Sequence, residues 1–153
     1  MSPELQRLGA VLEGSWATTV KYERGPSGAG GTGSGKETVR RGPGDQSLII
    51  ETTSTGPNGE FSGLGVITWS KRESAYKLHW FTNLSPYASE FTGVWSGESI
   101  IFNGREWVGE TELSSRHAIS NIADGAFDYA IDMGPSATEL MRTTTMRYRR
   151  VGR

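Results

Sequence analysis

The chain has 153 residues, 21 of them glycine and none cysteine, with a formal net charge of −1. This length fits one domain with a single core, and the missing cysteines exclude disulfides, thiolate metal sites and a cysteine nucleophile. Near-neutral charge argues against nucleic acid as a partner, which would need a basic surface, and no run of about 18 apolar residues is present to span a membrane.

Met1-Ser2-Pro3-Glu4 shows neither a basic stretch nor a long apolar one, so no signal peptide is visible. The expected location is the cytoplasm, or the periplasm or exterior if a leader has been removed. Pro3 with Leu5, Leu8, Val11 and Leu12 predicts one short amphipathic helix that caps a core. After Gly14 the helical period ends. Threonine, valine, isoleucine and aromatic residues then dominate, which is the signature of strands.

Ten strands are expected: Ser15–Glu23, Lys36–Arg41, Ser47–Ser54, Glu60–Ser70, Ala75–Thr82, Ser89–Ser96, Ser99–Trp107, Glu110–Asn121, Ala126–Met133 and Thr138–Val151. Tight turns such as Gly56-Pro57-Asn58-Gly59, Ser96-Gly97-Glu98 and Gly134-Pro135-Ser136 join them. Short links make neighbours antiparallel. With no second helical pattern, the expected fold is all-β: one up-and-down barrel of about eight to ten strands, or a sandwich. Closure also removes exposed edges.

Alternation assigns the faces. Inward positions are expected at Trp16, Thr18, Val20 and Tyr22; at Leu48 and Ile50; at Tyr76, Leu78 and Trp80; and at Leu113, His117 and Ile119. Phe127, Tyr129, Ile131 and Met133 form the cleanest inward set. Leu140, Arg142, Thr144, Met146 and Tyr148 form another, although Met141 argues for the opposite face. A three-residue loop, Ala123-Asp124-Gly125, would place Ile119 across from Tyr129 and His117 across from Ile131. Gly63, Gly65 and Gly93 lie within strands, where glycine either bends a barrel wall or leaves room beside a large side chain. Bending is the favoured expectation.

Several motifs fail. Gly30-Gly31-Thr32-Gly33-Ser34-Gly35-Lys36 nearly matches a phosphate-binding loop, but Glu37 stands where serine or threonine should hold magnesium. A flexible hairpin loop over Gly25–Gly35 is expected instead. His79 and His117 lack metal-ligand spacing, and no nucleophile elbow occurs. Arg147, Arg149, Arg150 and Arg153 read as a solvated strand end. No metal and no cofactor are expected.

Leu12-Glu13-Gly14-Ser15-Trp16, a short helix followed by Gly-x-Trp, resembles the start of lipocalin-type (calycin) barrels. There the tryptophan closes one end beneath a late arginine; the resemblance implies that role for Arg147 or Arg149, as a cation–π contact. More specifically, the chain resembles a bacterial lipocalin-like family, DUF1579. The matching pieces are Leu12–Trp16, Gly35–Arg40, Phe61–Ile67, Phe91–Trp95 and Met146–Arg150. The resemblance implies a β-barrel around an interior cavity and no particular activity. The Arg-x-Tyr pair with which fatty-acid-binding barrels grip a carboxylate is not found, because Arg147 and Tyr148 are adjacent. The late histidine of haem-binding barrels is also missing, since none follows His117.

The expected interior is aromatic and aliphatic, with a few polar groups. Its candidate ligand-binding residues are Tyr22, Tyr76, Trp80, His117, Tyr129, Arg142 and Tyr148. Three functions fit. The first is binding of a small, mostly apolar molecule. The second is an isomerase or cyclase, with His117 or Tyr129 as general acid/base and Arg142 stabilising an enolate or carboxylate. The third is an interaction protein with a filled interior, binding a partner or a second copy of itself as a homodimer.

Overall fold

The computed structural model describes residues 1–25 and 28–153. Helix α1 (Pro3–Leu12) begins where the sequence supplies a cap: the Ser2 hydroxyl accepts from the Leu5 amide at 3.2 Å, and Pro3 fills the first turn. Its apolar face, Leu5, Leu8 and Leu12, is buried.

Among the described residues, ten strands follow: β1 (Gly14–Tyr22), β2 (Gly31–Arg41), β3 (Leu48–Gly56), β4 (Gly59–Ser70), β5 (Ala75–Thr82), β6 (Ser85–Ser96), β7 (Ser99–Val108), β8 (Thr111–Ala123), β9 (Ala126–Gly134) and β10 (Met141–Gly152). A single 3-10 turn, Pro43–Asp45, links β2 to β3. Each strand pairs antiparallel with the next, and β1 pairs with β10, which closes the barrel. The expected up-and-down barrel is therefore observed, and it is not a sandwich.

Four expectations change. First, β2 starts at Gly31, so Gly31, Gly33 and Gly35 pair with β1 and are not loop; positions 26 and 27 of the expected loop lie outside the described residues. Second, β6 starts earlier, at Ser85, and β10 later, at Met141, because Ser136–Glu139 closes a turn (Glu139 N–H to Ser136 carbonyl, 3.0 Å).

Third, the β8–β9 register is as expected, with Ile119 opposite Tyr129 and His117 opposite Ile131. It is achieved differently. Ala123 pairs with Ala126, so the turn has two residues, Asp124-Gly125, and the register shifts between Ser120 and Ala123. Asn121 there adopts a positive φ of 49°. A bulge supplies the extra residue that a longer loop would have supplied. Fourth, β10 shifts register between Arg142 and Thr144. Met141 therefore pairs with Met133, and Arg142 pairs with Asp132 on the outer face. Leu140 precedes the strand.

The core sits at the helix end. Trp16, Ile67, Tyr76, Phe91, Phe102 and Phe127 are each 1% exposed, and Leu8, Leu48 and Ile100 are fully buried. Trp16 meets Phe127 edge-on at 4.7 Å, and Phe127 stacks on Tyr148 at 4.4 Å. The Trp16 indole N–H donates to the Leu12 carbonyl at 2.8 Å. The arginine over Trp16 is Arg150, with its guanidinium 4.3 Å from the ring centre, and not Arg147 or Arg149. Two-residue alternation explains this. Arg147 faces outward to Asp128 at 2.9 Å, Arg149 is exposed, and Arg150 shares the face of Tyr148. Arg150 also donates to the backbone carbonyls of Glu13 and Val11 at the end of the helix. Gly14 makes this possible: its φ is +128°, and a Cβ would lie 2.6 Å from the Arg150 guanidinium.

Arg150→Ala should lower unfolding free energy by about 2 kcal/mol, through the lost cation–π contact and the stranded carbonyls. Hydrogen exchange should quicken in α1. Unchanged protection at Leu8–Leu12 would refute this role.

Candidate functional site

The interior residues divide by depth. Those near α1 are closed over, whereas Tyr22, Phe61, Trp80, Tyr129, Ile131, Met133 and Met146, toward the other end, are only half-buried. Solvent thus reaches part of the interior at the end opposite the helix.

Two polar groups, both buried, lie between these two parts of the interior. The first joins β7, β8 and β9. His117 lies between the Glu106 carboxylate (Nε2 to Oε1, 3.0 Å) and the Tyr129 hydroxyl (Nδ1 to Oη, 2.5 Å). A carboxylate only accepts, so Nε2–H donates to Glu106; in the neutral ring Nδ1 then accepts from the Tyr129 hydroxyl. Burial pushes the Tyr129 phenol well up, and the charges of Glu37 and Glu106 push it further, so it keeps its proton. Phe91 packs against the imidazole with ring centres 4.7 Å apart.

The second group joins β10 and β2. The Tyr148 hydroxyl donates to Glu37 Oε1 at 3.0 Å. Burial raises the Glu37 carboxyl from 4.5 to about 7, against smaller opposing effects of Tyr148 and Thr52. Tyr148 is likewise held well above its ordinary value, first by burial and then by Glu37. The two groups adjoin through the Tyr129 and Tyr148 rings, whose centres are 5.9 Å apart.

The structure thus brings His117, Tyr129 and Tyr148 together. Trp80 lies on another part of the wall, roughly parallel to Phe61 at 6.4 Å. Its indole covers Gly63 and Gly65, where a Cβ would fall 2.7 Å from ring carbons. Gly93 is covered in the same way by Phe102, whose ring would collide with a Cβ there. These glycines make room for rings, the second of the two roles expected of them. Tyr22 stands near the end of β1, its ring against Gly56.

Two expected residues lie elsewhere. The Tyr76 hydroxyl donates to the Glu4 carbonyl at 2.6 Å and accepts from the Trp95 indole at 3.1 Å, so it seals the helix end. Arg142 is outside, paired with Asp132. The bulge in β10 turns it outward, which removes it as an interior anion-stabilising group. His79 is also outside, 2.8 Å from Glu90.

Glu37 and Glu106 escaped the sequence reading. Both were legible by alternation, Glu37 with Val39 and Glu106 with Phe102, but a charge on an otherwise apolar face reads as a strand end. A surface concavity of about 790 Å³ lies across β1, β2, β8, β9 and β10; it is lined by the outward Thr19, Lys21, Asp128, Thr145 and Arg147 and reaches the inward Val20, Tyr129 and Met146. Arg147 and Asp128 there pair with each other, and Asn121 also donates to Asp128. The interior is the stronger candidate because its polar groups are buried.

Glu37 makes stability depend on pH. Its folded value lies above its unfolded one, so the folded state binds the extra proton between them. Its contribution is intact below about pH 4.5 and is lost as pH rises through about 7. The loss is about 3 kcal/mol. Glu37→Gln should therefore gain stability over the parent from pH 5 to pH 8 in urea titrations. A gap that stays constant across this range would contradict the assignment.

The fold is shared with solved structures. Rv2717c from M. tuberculosis is 16% identical, with a TM-score of 0.69 and 98% of each chain covered. The S-type phycobiliprotein lyase CPES from Guillardia theta is 9% identical, with a TM-score of 0.66, covering 95% of this chain and 92% of that one. EF1p2_mFAP2b, solved bound to DFHBI, is 16% identical, with a TM-score of 0.52, covering 95% of this chain and 98% of that one. No curated protein sequence matches. A family model described as "Protein of unknown function (DUF1579)" matches residues 4–150, and the chain belongs to that family.

Proposed function

We propose that the barrel binds a small, mostly apolar molecule in its interior, at the end opposite α1. The observation that carries this reading is the gradient of burial. Apolar side chains pack to about 1% exposure at the helix end, whereas aromatic and aliphatic residues farther along the same interior stay half-buried. A few polar groups converge beside them, the usual form of a small-molecule site. His117, Tyr129 and Tyr148 would orient the ligand, while Trp80, Tyr22, Ile131 and Met146 would supply its walls. The likeness to a barrel solved with DFHBI bound and to a phycobiliprotein lyase supports an interior used for ligands.

A second reading, an isomerase or cyclase, draws on the carboxylate–imidazole–phenol chain, which can hold or move a proton at His117 Nδ1. It has lost the cation at Arg142, so any developing anion would have to be met by the tyrosine hydroxyls.

Nile red, an uncharged dye, should bind one-to-one with a blue shift. Met146→Trp, which fills the half-buried region, should abolish binding, and Arg142→Ala on the outer face should leave it unchanged. A parent protein that gives no shift, or a Met146→Trp variant that binds as well as the parent, would overturn the reading.

A further inference from the structure

The charges of the barrel wall are segregated by face. Lys21, Lys36, Lys77, Arg105, Arg116, Arg142, Arg147 and Arg149 all occupy outward register positions. Arg41 and Arg150 share the inward phase but sit at the helix end, bound to Glu13 and Trp16 respectively. Among the described residues, the interior holds two carboxylates, Glu37 and Glu106, and one imidazole, and no lysine or arginine reaches them.

Glu106 has a partner in His117, whereas Glu37 has only neutral ones, the Tyr148 hydroxyl and Thr52. An ionised Glu37 is therefore an uncompensated buried charge, costly unless something positive joins it. A further buried group also lacks a partner. Ser115, 2% exposed and on the same face of β8 as His117, has a hydroxyl oxygen with no hydrogen bond. Buried hydroxyls are seldom left so, and one facing the interior points to a polar group brought by a ligand or a water. The interior walls, with Trp80, Phe61, Phe91 and Tyr129, present π faces that attract cations.

We infer that the interior selects a planar ligand carrying one positive charge, a protonated nitrogen base, and rejects carboxylates. This rests on the interior-binding reading and specifies its ligand class. The cation replaces the proton of Glu37, and Ser115 supplies an acceptor. Fatty acids and other carboxylate ligands are disfavoured, because no interior cation balances them.

The groups facing Glu37 are Tyr148 from β10, Thr52 from β3 and, through its ring neighbour, Tyr129 from β9. None is ionised near neutrality, since both phenols are pushed up. Glu37 itself titrates at about 7. Cation affinity should therefore rise about tenfold from about pH 6 to about pH 8, following ionised Glu37.

Three probes of one shape test this by equilibrium dialysis: 9-aminoacridine, cationic throughout this range; 9-anthracenemethanol, neutral; and 9-anthracenecarboxylate, anionic. The expected order is cation, neutral, anion, with about tenfold or more between the first and last. Glu37→Gln should erase both the cation preference and its pH dependence while sparing the neutral probe. Met146→Trp should remove binding of all three. If the neutral probe binds but the carboxylate binds as well as the cation, or if Glu37→Gln leaves the preference intact, the charge selectivity is wrong and interior binding stands. If none of the three binds, both readings fall.

Discussion

One guanidinium holds the closed end of the barrel together. Arg150 lies over the Trp16 ring, donates to the last carbonyls of α1 and belongs to β10, so it joins the first strand, the last strand and the helix at one place. Strand pairing alone would close the wall but leave the end open. The indole of Trp16 contributes a second tie, its N–H on the Leu12 carbonyl. Burial works against the charge of Arg150 and lowers its pKa, and its Nε has no partner. A partly buried cation of this kind is held in place by the π face and the helix carbonyls.

Because the helix plugs one end, the apolar driving force is concentrated there. Leu5, Leu8, Leu12, Trp16, Leu48, Ile67 and Tyr76 form one continuous cluster. The remaining interior is under less demand as core. It can hold Glu37, Glu106 and His117, which an apolar core of the same volume would exclude or outperform in stability. The fold thus accepts a few buried polar groups because the apolar cluster beside them supplies the cohesion.

The barrel was legible because its strands alternate cleanly and its turns are short. Phe127, Tyr129, Ile131 and Met133 fixed the face of β9, and the pairing of His117 with Ile131 followed. What escaped were departures from strict alternation. The bulge before Thr144 turned Arg142 outward, and the one at Asn121 let a shorter turn keep the expected register. β-bulges have no strong residue signature, so two-residue counting runs through them unaware. Glu37 and Glu106 were missed for an energetic reason. Carboxylates are rarely buried, and only the tertiary fold reveals that Tyr148 and His117 are there to receive them. Gly31, Gly33 and Gly35 read as loop because their composition outweighed their pairing with Tyr22, Val20 and Thr18 of β1.

The indole of Trp80 resting on bare backbone at Gly63 and Gly65 couples three positions. A side chain at either glycine collides with the ring, while a smaller residue at position 80 leaves a void above the glycines. Each single step is costly, yet a combined exchange, bulk moved from strand β5 to strand β4, refills the same space. Drift at this part of the wall is therefore constrained to paired changes, and the contour of the interior passes between sequences as a unit.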